Sequence, residues 1–270
     1  MTDDCEKAEL YTRFKGWSSD GFGRYKKHWA RYYRNEIQAC ESTQAGESRR
    51  QLRLLEIGFG NGSFLGWARD QGHTIYGIEI DAPQLAAAQR AGFQARGSLS
   101  ELDAAYDIDG LDGVVAFDVF EHLSSSQLIE LLQGVHRLLK PGGWVLARFP
   151  NGDSPFGRLN QHGDLTHVTT LGSTALRQLA LASNLQLLYV GSPQTPVLRI
   201  GLAHGVATIV SIVTRWLLEL PLQLLLNAYY PGSFPRFYPL SPNLVARLAR
   251  LGTDSGNVAV PEGSVAKTTR

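Results

Sequence analysis

Between residues 51 and 150, short apolar runs alternate with stretches of helical spacing. Leu52 to Ile57 is such a run, ending in glycines as a buried strand would. Helical spacing follows from Phe64 to Asp70, and Thr74 to Glu79 predicts a second strand. Pro83 to Ala91 predicts a helix opening on proline, whose missing N–H costs nothing in a first turn. Phe93 to Arg96 and Leu111 to Phe117 predict the third and fourth strands. Gln127 to Leu139 predicts a long amphipathic helix, which Lys140-Pro-Gly-Gly143 stops. Trp144 to Phe149 is a fifth strand; a helix at Ala175–Asn184 and strands at Gln186–Val190 and Pro242–Arg247 come after it. The alternation calls for βαβ units. These give a doubly wound α/β fold around a mostly parallel sheet, with right-handed crossovers placing helices on both faces. Ligands of such sheets sit beyond the carboxyl ends of the strands, where strand order switches.

Four zones follow from the pattern. Residues 1–50 form an N-terminal lid or substrate segment, 51–195 the core, 196–240 an apolar helical insertion, and 241–270 the last strand and a tail. From Tyr11 to Arg34 aromatics such as Trp17, Phe22, Trp29, Tyr32 and Tyr33 interleave with arginines and lysines. Such a segment suits a glycan phosphate, a phosphate-linked lipid carrier or RNA. A helix packing its aromatics on the sheet edge explains it equally. In the insertion, His204, Arg215 and Glu219 interrupt the apolar run, and Pro221 is expected to break the helix. The two pieces, Gly201–Thr214 and Trp216–Tyr230, are then too interrupted to span a membrane. They would cover a pocket, form a homodimer interface, or touch a membrane surface through residues 200–230.

Composition narrows the function. Lys plus Arg number 26 against 25 Asp plus Glu, which excludes a bulk polyanion binder and hence DNA as a partner. With 43% apolar and 19% charged residues the chain is globular. Two cysteines exclude a disulfide scaffold, and the acidic residues from Asp3 to Glu9 replace the apolar core of a signal peptide, pointing to a cytoplasmic setting.

The most informative segment joins the first strand to the first helix: Glu56-Ile-Gly58-Phe59-Gly60-Asn61-Gly62. Its glycines remove side chains that would block close backbone approach by a ligand, and the helix behind presents unpaired N–H groups. Glu79, at the end of the second strand, can accept both ribose hydroxyls of an adenosine. The G-x-G-x-G spacing departs from the dinucleotide G-x-G-x-x-G, and Glu56 brings a carboxylate that suits a cation better than a pyrophosphate. On these residues the sequence resembles the class I S-adenosylmethionine-dependent methyltransferases, whose first motif is an acidic residue, an apolar residue and G-x-G-x-G. Gly77-Ile-Glu79-Ile80-Asp81 matches their second strand, Phe117-Asp118-Val-Phe-Glu121-His122-Leu123 the end of the fourth, and Leu138-Leu-Lys-Pro-Gly-Gly143 the turn before the fifth. The resemblance implies S-adenosylmethionine as cofactor and a seven-stranded Rossmann-like sheet with an antiparallel last strand. It implies cofactor contacts from Glu56, Gly58, Phe59, Gly60, Gly62, Glu79, Ile80, Phe117, Asp118 and His122. The family's acidic residue for the adenine amino group is replaced here by Arg96-Gly97-Ser98-Leu99, leaving Ser98 or backbone amides for that contact.

Methyl transfer from a sulfonium is an in-line displacement, so the protein orients and desolvates the reactants. An oxygen nucleophile also needs a base or a metal. In Gly163-Asp164-Leu-Thr-His167-Val-Thr169, a loop after the fifth strand, His167 is the candidate base because imidazole titrates near neutrality. Asp164 would orient it or contact substrate, His162 is a secondary candidate, and a helix-capping turn is the plainer alternative. Asp118-x-x-Glu121-His122 resembles a group found in the ubiquinone-type O-methyltransferases and the small-RNA 2′-O-methyltransferases, both metal-assisted. The preferred reading makes Glu121-His122 a helix cap or cofactor contact, so no metal ligand is assigned and a divalent metal is a secondary expectation. Phe149-Pro-Asn151 and Gly163–His167 resemble the methyltransferase-domain proteins of bacterial surface-polysaccharide and lipopolysaccharide biosynthesis. That resemblance implies O-methylation of a saccharide or related hydroxyl, on a small-molecule, glycan or lipid-linked acceptor. The alternatives are a quinone or phenol O-methyltransferase using Mg²⁺, and a non-catalytic interaction protein of the same fold.

Overall fold

The computed structural model describes residues 21–41, 51–106, 108–193 and 240–252, with helical residues scattered from 210 to 229. The expectations for residues 1–20, 42–50 and 253–270, and for most of the insertion, lie outside the described residues. Strands β1 (Arg53–Ile57), β2 (Thr74–Ile78), β3 (Gln94–Arg96), β4 (Leu111–Phe117), β5 (Leu139–Pro150), β6 (Gln186–Gly191) and β7 (Asn243–Ala249) form one sheet in the order β3-β2-β1-β4-β5-β7-β6. The first five pair in parallel, and β7 runs antiparallel to both β5 and β6. This is the seven-stranded doubly wound sheet expected. Order reverses between β1 and β4, so the carboxyl ends of these two strands flank the switch point.

Successive strand residues point to opposite faces, and the core divides accordingly. Leu55, Val114 and Ala147 join α4 (Leu99–Tyr106), α5 (Ser125–Leu138) and α7 (Ser173–Ala182) on one face. Leu54, Val115 and Leu146 join α1 (Lys27–Glu41), α2 (Ser63–Asp70) and α3 (Ala82–Arg90) on the other. A short α6 (Arg158–His162) lies in the loop after β5.

The N-terminal zone divides in two. Helix α1 buries Tyr32, Tyr33, Ile37 and Cys40 against the sheet, with Tyr33 stacked on Phe117 at 5.5 Å. It is a core helix rather than a lid, because its aromatic side is what covers one face of the sheet. Glu36 of α1, fully buried, pairs with Arg247 of β7 at 3.1 Å. Among the described residues, 21–23 lie over the glycine loop: Gly23 N donates to Asn61 O at 3.0 Å, and the Phe22 ring packs edge-on against Phe59 and Phe93. A β-carbon on Gly66 of α2 would overlap the Gly23 carbonyl oxygen and stand 2.7 Å from its carbon. Gly66→Ala should therefore lower stability by about 2 kcal/mol through overpacking, despite alanine's better helix propensity. An unchanged urea midpoint would show that this backbone contact does not form.

Three elements differ from the sequence reading. Helix α4 was not expected; Ser98 caps it by accepting from Glu101 N at 3.3 Å. Strand β5 begins at Leu139, not Trp144, because the Pro-Gly-Gly turn keeps ladder partners: Gly142 N donates to Arg250 O and Arg250 N to Gly143 O. Helix α5 begins on a capping box of Ser124 and Gln127, not on Glu121-His122. In the insertion, residues 217–222 are helical through Pro221, whose missing N–H removes only one bond of an exposed turn. Val213, Leu217, Leu218, Leu220 and Leu224 are exposed there, while buried Glu219 accepts from Leu240 N at 2.8 Å. No described helix is long and apolar enough to cross a membrane.

Candidate active site

The carboxyl ends of β1, β2 and β4 converge on the glycine loop. Gly58, Gly60 and Gly62 all hold positive φ, at 67°, 51° and 72°, so the loop turns in a backbone region that L side chains avoid. Gly58 N donates to Ile78 O at 2.8 Å, tying the loop to β2. Glu79, buried just past β2, accepts from Gly60 N at 2.8 Å and from Asp81 N at 3.0 Å. Burial raises its carboxyl above the ordinary range, and those two N–H groups offset part of the rise. Ile80 beside it is 65% exposed on the rim.

Glu56 stands one residue before the end of β1, 4% exposed, and its Oε2 has no hydrogen-bond partner among the described residues. Burial, and then the neighbouring Glu79, push its carboxyl well above the ordinary carboxylate range. A buried carboxylate in that state is stabilised by an incoming cation. The ammonium and sulfonium of S-adenosylmethionine supply that charge.

Past β4 the chain turns sharply: Asp118 takes φ 57°, and its carboxylate holds the Arg148 guanidinium through both oxygens. The guanidinium lies against the rings of Trp29, Tyr32 and Phe117. Phe117 is thus packed among Tyr32, Tyr33, Phe64 and Arg148, and Asp118 holds a side-chain ion pair. A 3-10 turn, Phe120–His122, follows, and the loop 164–169 is seated on it: Val168 N and Thr169 N both donate to Glu121 O. Thr166 donates its hydroxyl to Asp164 Oδ1 at 2.6 Å and lies 2.9 Å from His122 Nδ1. His167 Nδ1 lies 3.1 Å from the Gln161 carbonyl, and its Nε2 stands 4.0 Å from Glu121 Oε1 and 3.9 Å from Asp164 Oδ2. The two imidazoles meet edge to face, 4.6 Å between centroids.

The structure thus brings His167, Glu121 and His122 together. The Asp164 carboxylate makes a local turn with Thr166 N and stands 3.9 Å from His167 Nε2, while the Gln161 carbonyl takes His167 Nδ1. Burial acts to raise the Asp164 carboxyl, but the Thr166 bonds and the imidazoles outweigh it and hold it below the usual value. Ser98 lies past β3 and its hydroxyl caps α4. Sequence reasoning missed Arg148 and Gln161, and named Thr166 only within the capping-turn alternative. Gln161 also lines a cavity of about 350 Å³ with Asn151, Asp153, Ser154, Arg158 and His162.

A sheet of this order, a glycine loop and a buried acid at the end of β2 define a nucleotide-type cofactor site in a methyltransferase fold. The chain belongs to the methyltransferase-domain family, whose sequence model matches residues 25–190. Among solved structures it is similar to an S-adenosylmethionine-dependent methyltransferase from Archaeoglobus fulgidus, with a TM-score of 0.54 and 17% identity over 89% of this chain and 98% of that one. The CcbJ methyltransferase from Streptomyces caelestis has a TM-score of 0.53 and 14% identity over 91% and 96%. No curated protein matches the chain in sequence.

Proposed function

We propose that the protein transfers the methyl group of S-adenosylmethionine to a hydroxyl of a saccharide or a related metabolite. The observation that carries the hydroxyl is the cluster of Glu121, His122 and His167 past β4, beside a polar cavity to which Gln161 links it. Amide, hydroxyl, carboxylate and guanidinium groups in that cavity are donors and acceptors matched to a sugar. The cofactor supplies an activated methyl. Glu79 and the glycine loop hold its adenosine, Glu56 faces its positive end, and Phe117 walls the methionine side. The acceptor's O–H proton is lost at the His167 cluster as the C–O bond forms and the C–S bond breaks.

Calorimetric titration with S-adenosylhomocysteine, with NAD as control, tests the cofactor, and labelled methyl donor with sugar and phenol acceptors tests the transfer. Binding of neither ligand by folded protein would overturn the reading. Glu56 adds a signature. Burial and Glu79 raise its carboxyl, and a cation beside it lowers it again, so S-adenosylmethionine binding should release protons over the pH range between the two values. Affinity should accordingly rise with pH until Glu56 is ionised in the free protein, then level off. The same shift has the opposite sign for the unliganded fold, whose stability falls as pH climbs above the ordinary carboxylate value. Titrations in buffers of different ionisation heat would show the release in the wild type and its loss in Glu56→Gln.

A further inference from the structure

We infer that the helical residues between 213 and 229 dock on the surface of a lipid membrane, lying in its interface without crossing it. A helix of a fold surrounded by water turns its apolar stripe inward and its charges outward. Here the arrangement is reversed. Over residues 217–222, at about 100° per residue, Leu217 falls on the side away from Glu219, and Leu218 and Leu220 flank it. All three leucines are more than half exposed, while Glu219 is buried and its carboxylate accepts from Leu240 N at 2.8 Å. Leu224 and Leu225 are likewise exposed. A helix that holds its carboxylate inside and offers leucines outside suits an apolar surrounding better than water.

The chemistry of the segment selects lipid over a protein partner. From Trp216 to Tyr230 the one charged residue is Glu219, so no outward charge remains to make the polar rim of a protein interface. Tryptophan and tyrosine favour the boundary between lipid and water, and Trp216 and Tyr229-Tyr230 bound the leucine run in sequence. Tyr229 is 73% exposed. As a helix, residues 216–230 extend roughly 22 Å, short of the roughly 30 Å of a hydrocarbon core, which favours lying in the interface over crossing. The anchor of the helix adjoins the polar cavity: Leu240 O accepts from Ser154 Oγ at 3.2 Å, and Ser154 lines that cavity. Docking therefore brings the cavity close to the lipid surface, although the docking itself does not depend on reading the cavity as the acceptor site.

The test is flotation of the detergent-free full chain with vesicles of phosphatidylcholine alone, at low and high salt and without methyl donor. The chain should float with the vesicles at both, because apolar burial is not screened as attraction between charges is. Leu217→Asp with Leu224→Asp should lower the partition coefficient about a hundredfold, roughly tenfold for each leucine. Both positions face outward in the free chain, so the double variant should keep the wild-type urea midpoint and bind S-adenosylhomocysteine within about twofold of wild type. A chain that stays in the aqueous fraction at millimolar lipid, or a double variant that floats as the wild type does, would overturn the inference. So would self-association in sedimentation velocity that the same substitutions abolish while no lipid is bound; the leucines would then join two copies of the chain. Flotation uses neither methyl donor nor acceptor, so its failure leaves the transfer reading to its own assay.

Discussion

Replacing Glu36 with alanine is expected to remove about 3–5 kcal/mol of stability, the cost of stranding a buried charge. Glu36 is fully buried on α1 and its partner Arg247 is central in β7, against the Tyr189 ring at 4.4 Å. Truncation leaves the guanidinium desolvated with no counter-charge, so the loss far exceeds that of a surface pair. An apolar exchange of both partners, Glu36→Leu with Arg247→Met, should restore most of the loss, since a packed isostere does not bear the desolvation cost. Urea unfolding of the single and double variants checks this. A single variant within about 1 kcal/mol of wild type would show that the pair is solvated, as surface pairs are.

Glu79→Ala should weaken S-adenosylhomocysteine about 100- to 1000-fold. In this structure the carboxylate satisfies Gly60 N and Asp81 N, and in the proposed complex it accepts from the ribose hydroxyls as well. Hydrogen bonds to a charged group contribute about 1.5–3 kcal/mol each, and every 1.4 kcal/mol is tenfold in affinity. Glu79→Gln keeps the shape without the charge and should lose about tenfold. Calorimetry resolves the three proteins. Wild-type affinity in Glu79→Ala would remove the ribose assignment.

Most of the sheet was legible because parallel strands buried on both faces leave long apolar runs, as at Leu111–Phe117, bounded by glycine and proline. The cofactor loop was legible because positive φ at three closely spaced positions selects glycine. Helix α4 escaped because Leu99–Tyr106 buries only Leu102 fully, too little to make a periodic stripe. The role of α1 stayed open between two readings, because aromatics that cover a sheet and aromatics that stack on a ligand have the same composition. His167 and Glu121 could be named from their loops, but Thr166 acts through a bond across the fold and Gln161 through a backbone carbonyl. Arg148 did leave a signal. A cation inside the apolar run Trp144–Phe149 requires a carboxylate on a neighbouring strand end, and Asp118 is that carboxylate.

Strand β7 carries a consequence for how the chain is made. It is synthesised after β5 and β6 yet lies between them, hydrogen-bonded to both. Until Asn243–Ala249 has left the ribosome, β5 offers an apolar edge running through Trp144, Val145 and Leu146 with no final neighbour. Such an edge is a template for pairing with another nascent chain. The insertion of β7 is also a long-range, slow-closing event, since loop closure precedes any reward from the ladder. Shielding that edge before the last strand arrives should therefore raise the yield of folded chain.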